Sequence, residues 1–157
     1  MPRTLPTVLD PCCGSRMMYF QKDSPDVLFC DNRRVNTQLC DGRKLEINPD
    51  FQCDFRDLPF KDESFYHVVF DPPHLTSGGQ GSWIIKKYGK LPKDWKNYLR
   101  KGFDECMRVL KPHGTLVFKW SEEDIPLQEV LDCFPEQPLY GNRARGDKQI
   151  FLVFIKE

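Results

Sequence analysis

The chain has 157 residues, of which 39% are hydrophobic and 29% charged, and its 23 basic residues balance 23 acidic ones. This length suits one domain, which we expect to span 1–157. No apolar run is long enough to cross a bilayer, and the first residues lack the apolar core of a secretory signal, which favours a cytoplasmic protein. The zero net charge excludes a global field that would draw the chain onto nucleic acid.

The cysteines indicate neither a disulfide framework nor a zinc site. Their number, seven, is odd, and Cys12 and Cys13 are adjacent. Several lie in apolar runs, so we predict reduced cysteines in the core. The spacing of the cysteines and of the three histidines lacks the close pairs that tetrahedral zinc needs. No metal is therefore predicted.

In the first half of the chain, short apolar runs that are each followed by an aspartate predict three strands. These runs are residues 7–9 before Asp10, 26–30 before Asp31 and 51–53 before Asp54. A tight turn follows the first strand, and a short helix is predicted over 16–21. The stretch 32–50 is polar and lacks a sustained helical period, so no helix is assigned there.

The second half alternates strands and helices more clearly. A buried strand over 67–70 breaks at two prolines. An apolar stripe predicts a helix from Asp94 that ends at 111–114. Next come a strand over 115–120, a helix capped by Ser121 and Asp124 that ends at Pro135, and a hairpin that joins Leu139–Tyr140 to 149–155. This alternation predicts a layered α/β domain.

The strand order, the acidic strand ends and the sequence Asp-Pro-Pro at 71–73 resemble the class I S-adenosylmethionine-dependent methyltransferases. Within them, the resemblance is to the group with a [DNS]-P-P-[YFW] motif, which methylates exocyclic amines such as N6 of adenine. It implies a Rossmann-like fold: a mostly parallel twisted sheet with helices on both faces and a C-terminal antiparallel hairpin. S-adenosylmethionine is the implied cofactor.

The resemblance also implies the cofactor-binding residues. Residues 10–15 match the turn D-P-x-C-G-S-G of that family except at its last glycine, where this chain has Arg16. Asp10 would take the ammonium of the methionine moiety, Asp31 the ribose hydroxyls, and Asp54 with Phe55 the adenine. The full predicted set is Asp10, Cys12, Gly14, Ser15, Asp31, Asp54, Phe55 and Asp71.

The predicted catalytic residues are Asp71, Pro72, Pro73 and His74. An aromatic amine is a poor nucleophile because its lone pair is shared with the ring. Hydrogen bonds from its protons to Asp71 and to the Pro72 carbonyl would make the nitrogen more electron-rich, and the prolines fix the backbone. His74 stands where the family stacks an aromatic residue on the base. If His74 stacks only when neutral, activity should fall below roughly pH 6.5.

A basic, aromatic insertion at about 75–101 follows this motif. It begins with a glycine-rich stretch and then places lysines among aromatic rings, a pattern that suits a phosphate backbone with unstacked bases. The predicted substrate-binding residues are Trp83, Lys86, Lys87 and Tyr88, with Arg143 and Arg145 from a second basic loop. A solvated basic face is the alternative interpretation of the lysines. Trp95, Tyr98 and Phe103 are predicted in the core.

Three hypotheses follow from the sequence. The leading one is methyl transfer to an exocyclic base amine, adenine-like, in DNA or RNA. The first alternative is the same chemistry on a protein side-chain amide or a small heteroaromatic amine. The second is a catalytically silent cofactor-binding module that acts with a partner subunit, which Arg16, His74 and the lack of a target-recognition domain motivate. None of them requires a membrane.

Overall fold

The computed structural model describes residues 4–79, 81–142 and 149–157. The strands are β1 (Val8–Asp10), β2 (Val27–Asp31), β3 (Val35–Gln38), β4 (Lys44–Ile47), β5 (Phe51–Gln52), β6 (Phe65–Phe70), β7 (Leu110–Ser121), β8 (Tyr140–Gly141) and β9 (Gln149–Ile155). The helices are α1 (Trp83–Tyr88), α2 (Trp95–Val109) and α3 (Leu127–Leu131). Within these residues no helix is both long and apolar enough to cross a membrane.

Seven of the strands form one sheet in the order β5-β2-β1-β6-β7-β9-β8. The first five of these strands pair in parallel, and β9 runs antiparallel to β7 and β8. This arrangement confirms the predicted Rossmann-like sheet with its C-terminal antiparallel hairpin. Because β1 lies between β2 and β6, the carboxyl ends of these three strands meet at one edge, which is where open α/β sheets bind ligands.

One face of the sheet carries the main core. Helices α2 and α3 both pack there, and buried side chains of β6, β7 and β9 meet them. The approach of α2 is close at Gly102, where an added Cβ would lie 2.3 Å from the ring of Phe55 and 2.9 Å from that of Phe70. The predicted helix after Asp94 is confirmed, because its apolar stripe forms this contact.

The opposite face of β1 and β2 is covered by non-helical chain. The predicted helix over 16–21 is wrong, and these residues form turns. Arg16 has a left-handed φ of 61°, which stops a helix from starting there. The Arg16 guanidinium lies 3.9 Å from the ring centroid of Phe29, and the ring of Tyr19 meets the same phenylalanine edge-on at 4.8 Å. These side chains cover the sheet where a helix is absent.

Residues 32–50 contain the antiparallel hairpin of β3 and β4. Along β4, Leu45 and Ile47 are buried whereas Lys44 and Glu46 are exposed. This period of two explains why the sequence shows no helical period here. Leu45 and Ile47 join Leu39 in a small separate core.

Two further predictions need adjustment. Helix α3 begins after Pro126, and neither Ser121 nor Asp124 caps it. Asp124 instead accepts a 2.7 Å bond from the Thr76 amide, and Glu122 accepts one of the same length from the Leu127 amide. All seven cysteines are free, as predicted, but Cys40 is exposed rather than in the core.

Candidate active site

A cavity of about 500 Å³ opens at the carboxyl ends of β1, β2 and β6. Most residues that the sequence singles out lie on its wall. They are Cys12, Gly14, Ser15, Asp31, Phe55, Asp71, Pro72, Pro73, His74, Lys87 and Tyr88. The structure therefore brings the predicted cofactor turn, the Asp-Pro-Pro-His motif and the end of α1 around one space.

Other predicted site residues lie elsewhere. Asp54 is off the cavity wall, and Arg56, which bonds to it at 2.7 Å, holds the pKa of its carboxyl below the usual range. Trp83 lies on α1 with the Arg43 guanidinium 5.1 Å from its ring centroid, and Lys86 also lies on α1 outside the wall. Arg143 and Arg145 fall outside the described residues.

Asp10 is fully buried and is not on the cavity wall, but it contacts the wall residues Cys12 and Tyr19. Its Oδ1 accepts a 3.1 Å bond from the Cys12 amide, and its Oδ2 accepts a 2.8 Å bond from the Tyr19 hydroxyl. Burial raises the pKa of Asp10 to about 7, with the nearby charges of Asp71 and Asp31 adding to the rise and the Tyr19 bond opposing it. Asp10 therefore changes charge near neutral pH.

Asp31 connects the turn after β1 to helix α1. Its Oδ2 accepts a 2.9 Å bond from the Gly14 amide, and its Oδ1 accepts a 3.0 Å bond from the Arg33 amide. The Arg33 guanidinium in turn donates to the carbonyl of Lys86 at 2.9 Å and to that of Lys87 at 3.5 Å. Arg33 thus holds the C-terminal end of α1 against the site.

Backbone amides of the turn after β1 donate hydrogen bonds to Asp10, Cys30, Asp31 and Cys13. Gly14 has a φ of 52°, which a glycine adopts without strain. The Arg16 side chain leads away from the turn: it donates to the carbonyl of Lys22 at 2.6 Å and to that of Asn48 at 2.7 Å. Arg16 thus takes a left-handed conformation, with a φ of 61°, while its guanidinium braces two loops.

Asp71 follows the end of β6 and faces Lys119 of β7. The Lys119 Nζ lies 3.5 Å from Oδ2 of Asp71. Burial raises the pKa of Asp71 to about 6, and the charge of Lys119 limits that rise. Near neutral pH Asp71 is therefore mostly an ionised carboxylate in a partly buried position, which makes it a strong hydrogen-bond acceptor.

His74 lies between two aromatic rings. Its ring centroid is 6.0 Å from that of Tyr88 and 6.3 Å from that of Trp120, the latter in an edge-on arrangement. Burial lowers the pKa of His74 below its ordinary value; the charge of Glu123 opposes this change and that of Lys119 adds to it. His74 is therefore neutral at physiological pH, as stacking beside a cationic cofactor would require.

The cavity residues that sequence reasoning missed include Tyr19, Arg33, Tyr98 and Lys119. Lys119 could have been found from the sequence, because it is a charged residue within a predicted apolar strand. Tyr98 was predicted in the core, and it does pack edge-on against Phe55 at 4.9 Å, but it also reaches the wall. Tyr19 and Arg33 lie in irregular chain with no pattern that could have marked them.

No protein-family model matches this sequence, and no curated protein is detectably similar to it. Similarity is found among solved structures. The PH0226 protein from Pyrococcus horikoshii OT3 superposes with a TM-score of 0.60 at 16% identity, over 96% of this chain and 81% of that one. A chain in the complex between the Haloferax volcanii Trm112 methyltransferase activator and a proposed methyltransferase gives 0.47 at 16% identity, over 99% and 84%. The first of these likenesses supports the fold.

Proposed function

We propose that this protein is an S-adenosylmethionine-dependent methyltransferase that acts on an exocyclic base amine, adenine N6-like, in DNA or RNA. The observation that carries the proposal is the convergence of Asp31 and Asp71 on one cavity that also holds the Pro-Pro-His turn, with the buried carboxyl of Asp10 behind its wall. The cofactor supplies an electrophilic methyl group on a positively charged sulfonium.

The electrostatics of the cavity fit such a cofactor. Burial and mutual repulsion raise the pKa of Asp10 to about 7, and burial raises that of Asp71 to about 6. Carboxylates crowded in this way are stabilised by a bound cation. The ammonium and the sulfonium of S-adenosylmethionine supply two positive charges, so its binding would lower both pKa values.

Residues for the other parts of the cofactor are also present. Asp31 is buried and fixed by the Gly14 amide, which suits an acceptor for the ribose hydroxyls. Phe55 offers a ring on the wall for the adenine. Ser15 is the residue of the turn 12–16 whose amide donates no hydrogen bond within the described chain, which leaves it for the methionine carboxylate.

The chain's own residues would activate the amine. Asp71 and the Pro72 carbonyl accept its two protons, because proline fixes the backbone and leaves the carbonyl available. Lys119 keeps Asp71 ionised at neutral pH. Pro73 and the neutral ring of His74 form a flat, mostly apolar surface for the base. Catalysis then rests on positioning and electrostatic complementarity.

The site also supports a nucleic-acid substrate. Lys87 and Tyr88 of α1 line the cavity, and Lys90 lines it just beyond the helix. Cations beside an aromatic ring suit a phosphate backbone with an unstacked base. Arg16 and His74 do not argue for a silent module, because Arg16 points to the loops at Lys22 and Asn48 and His74 is neutral.

Calorimetry with S-adenosylmethionine tests the cofactor first. Tritiated methyl transfer to adenine-containing DNA and RNA oligonucleotides, to protein and to small heteroaromatic amines then identifies the acceptor. Asp71→Ala should keep cofactor binding but lose most transfer, by about 100-fold or more, because the amine loses its charged acceptor. Asp71→Asn is the matched variant, since it keeps the size and one carbonyl acceptor.

Each outcome separates the hypotheses. Absence of cofactor binding refutes a methyltransferase. Cofactor binding with transfer only to protein or a small amine refutes the nucleic-acid substrate. Unchanged turnover in Asp71→Ala refutes the role of the Asp-Pro-Pro motif.

A further inference from the structure

A second concavity adjoins the active-site cavity on the side of the β3–β4 hairpin. It has a volume of about 490 Å³ and lies between the turn 14–17, the hairpin and Lys87. We call it the hairpin cleft. The turn 14–17 and Lys87 also line the active-site cavity, so the two spaces are continuous neighbours.

The hairpin cleft is rich in positive charge. Its basic side chains are Arg16, Lys22, Arg43, Lys44 and Lys87, and its only carboxylate among the described lining residues is that of Glu46. They come from three separate segments of the chain: the loop after β1, the hairpin and α1.

Some of this charge is compensated and some is not. Arg16, Arg43 and Lys44 pair with Asp50, Asp41 and Glu46 at 3.5, 2.6 and 3.4 Å. Lys22 and Lys87 make no ion pair within the described part of the chain. The five basic side chains exceed these three carboxylates by two positive charges, which are those of Lys22 and Lys87. The cleft therefore presents a positive surface next to the substrate motif.

We propose that the hairpin cleft binds the phosphodiester backbone of the nucleic-acid strand whose target base enters the active-site cavity. This inference rests on the proposed function and extends it to a new site. Lys87 lines both spaces, so a strand could cross it with its base on one side and its neighbouring phosphates on the other. The β3–β4 hairpin lies between β2 and β5 in the chain, where the described structure has no crossover helix. It supplies two of the cations, Arg43 and Lys44.

The distribution of charge favours a polymer over a small anion. A free phosphate needs one or two cations at a point, whereas here cations from three segments line an open groove. The exposed ring of Trp83 lies against Arg43 at the hairpin, which adds a surface on which a flanking base can stack. A chain of phosphates with unstacked bases matches both features.

The test is the salt dependence of binding to a fluorescent, adenine-containing, single-stranded DNA, measured by anisotropy. The variant Lys22→Gln/Lys44→Gln removes two exposed charges of the cleft. The matched control is Lys61→Gln/Lys111→Gln. Lys61 precedes β6 and Lys111 lies at the start of β7, so both charges are at the amino ends of the strands, opposite the cavity. Loss of two phosphate contacts should lower the slope of log K against log salt by about 1.4 and the affinity at 0.1 M salt by about 25-fold.

The control should keep the wild-type slope, and all three proteins should bind S-adenosylmethionine equally by calorimetry. Equal slopes for the wild type and the cleft variant, or adenosine monophosphate binding as tightly as the oligonucleotide, would overturn the cleft assignment. Cofactor calorimetry reports separately on the proposed function: absence of cofactor binding refutes it whatever the slopes are, whereas cofactor binding with equal slopes overturns the cleft alone.

Discussion

The hydroxyl of Tyr19, which lines the active-site cavity, donates a 2.8 Å hydrogen bond to Oδ2 of Asp10, a carboxylate without solvent contact behind the cavity wall. Burial is the main cause that raises the pKa of Asp10, to about 7, and this bond is the largest influence in the other direction. Tyr19 therefore helps to keep a negative charge beneath the place where a cationic cofactor would bind.

Tyr19→Phe should weaken binding of S-adenosylmethionine near neutral pH. Without the hydroxyl, the pKa of Asp10 rises further above 7, so a larger fraction of the carboxyl is protonated at pH 7 and its attraction for a cation is lost. If the pKa rises by about one unit, we expect a loss of about fivefold at pH 7 that approaches tenfold at lower pH. Calorimetry between pH 6 and pH 9 checks this.

The same titration contains its control. At pH 9 the carboxyl is ionised in both proteins, so the affinities should converge. S-adenosylhomocysteine lacks the sulfonium charge and should respond less to pH than S-adenosylmethionine. An equal loss of affinity at pH 6 and pH 9 would contradict a role for Tyr19 in setting this charge.

Lys119→Met should move the acidic limb of the pH–rate profile to higher pH. The pKa of Asp71 is about 6, and activity needs the ionised form, so the wild-type rate should fall as the pH drops through about 6. Removing the ammonium 3.5 Å away raises that pKa, and the limb moves with it by about one unit. Lys111→Met, the same change at the start of β7, is the control, and an unshifted limb in Lys119→Met would contradict the pairing.

His74 is expected to act through its ring rather than its charge. His74→Ala should lower kcat/KM for an oligonucleotide by about tenfold or more, the usual cost of losing one stacking partner, with unchanged cofactor affinity. His74→Phe should stay within a few-fold of the wild type.

The pH profile provides a second readout for His74. From the sequence, protonation of His74 was expected to limit activity below roughly pH 6.5. Burial lowers its pKa, so His74 takes up its proton at a lower pH than the sequence implied, and we expect Asp71, whose pKa is about 6, to set the limb. His74→Phe should therefore leave the limb in place, and a limb that disappears in this variant would show that His74 sets it.

The predicted elements that the structure confirms are those with a strong local pattern. Strand β6 and helix α2 have continuous apolar or 3.6-period sequences that tertiary contacts then satisfy. The helix expected over 16–21 failed because a single backbone conformation at Arg16, which composition does not encode, turned the chain. The β3–β4 hairpin was missed because its few buried residues, such as Leu45 and Ile47, alternate over only a short length.

The site residues were likewise predicted where they follow regular strands and missed where they lie in irregular chain. Asp31 ends β2, and Asp71 directly follows β6. The strand order of a parallel sheet is therefore enough to bring them together. Tyr19 and Arg33 reach the cavity from irregular loops, where position depends on particular hydrogen bonds rather than on a repeating geometry. Lys119 is intermediate, because only the pairing of β6 with β7 places it beside Asp71.

Substitutions at Arg16 should separate its strained backbone from its bracing side chain. Arg16→Ala keeps the left-handed φ of 61° and loses the bonds to the carbonyls of Lys22 and Asn48, so we expect the free energy of unfolding to fall by about 2 kcal/mol. Arg16→Gly loses the same bonds but relieves the strain, so its loss should be about 1 kcal/mol smaller. Denaturant unfolding of both variants measures the difference, and equal losses would mean that the backbone at this position is not strained.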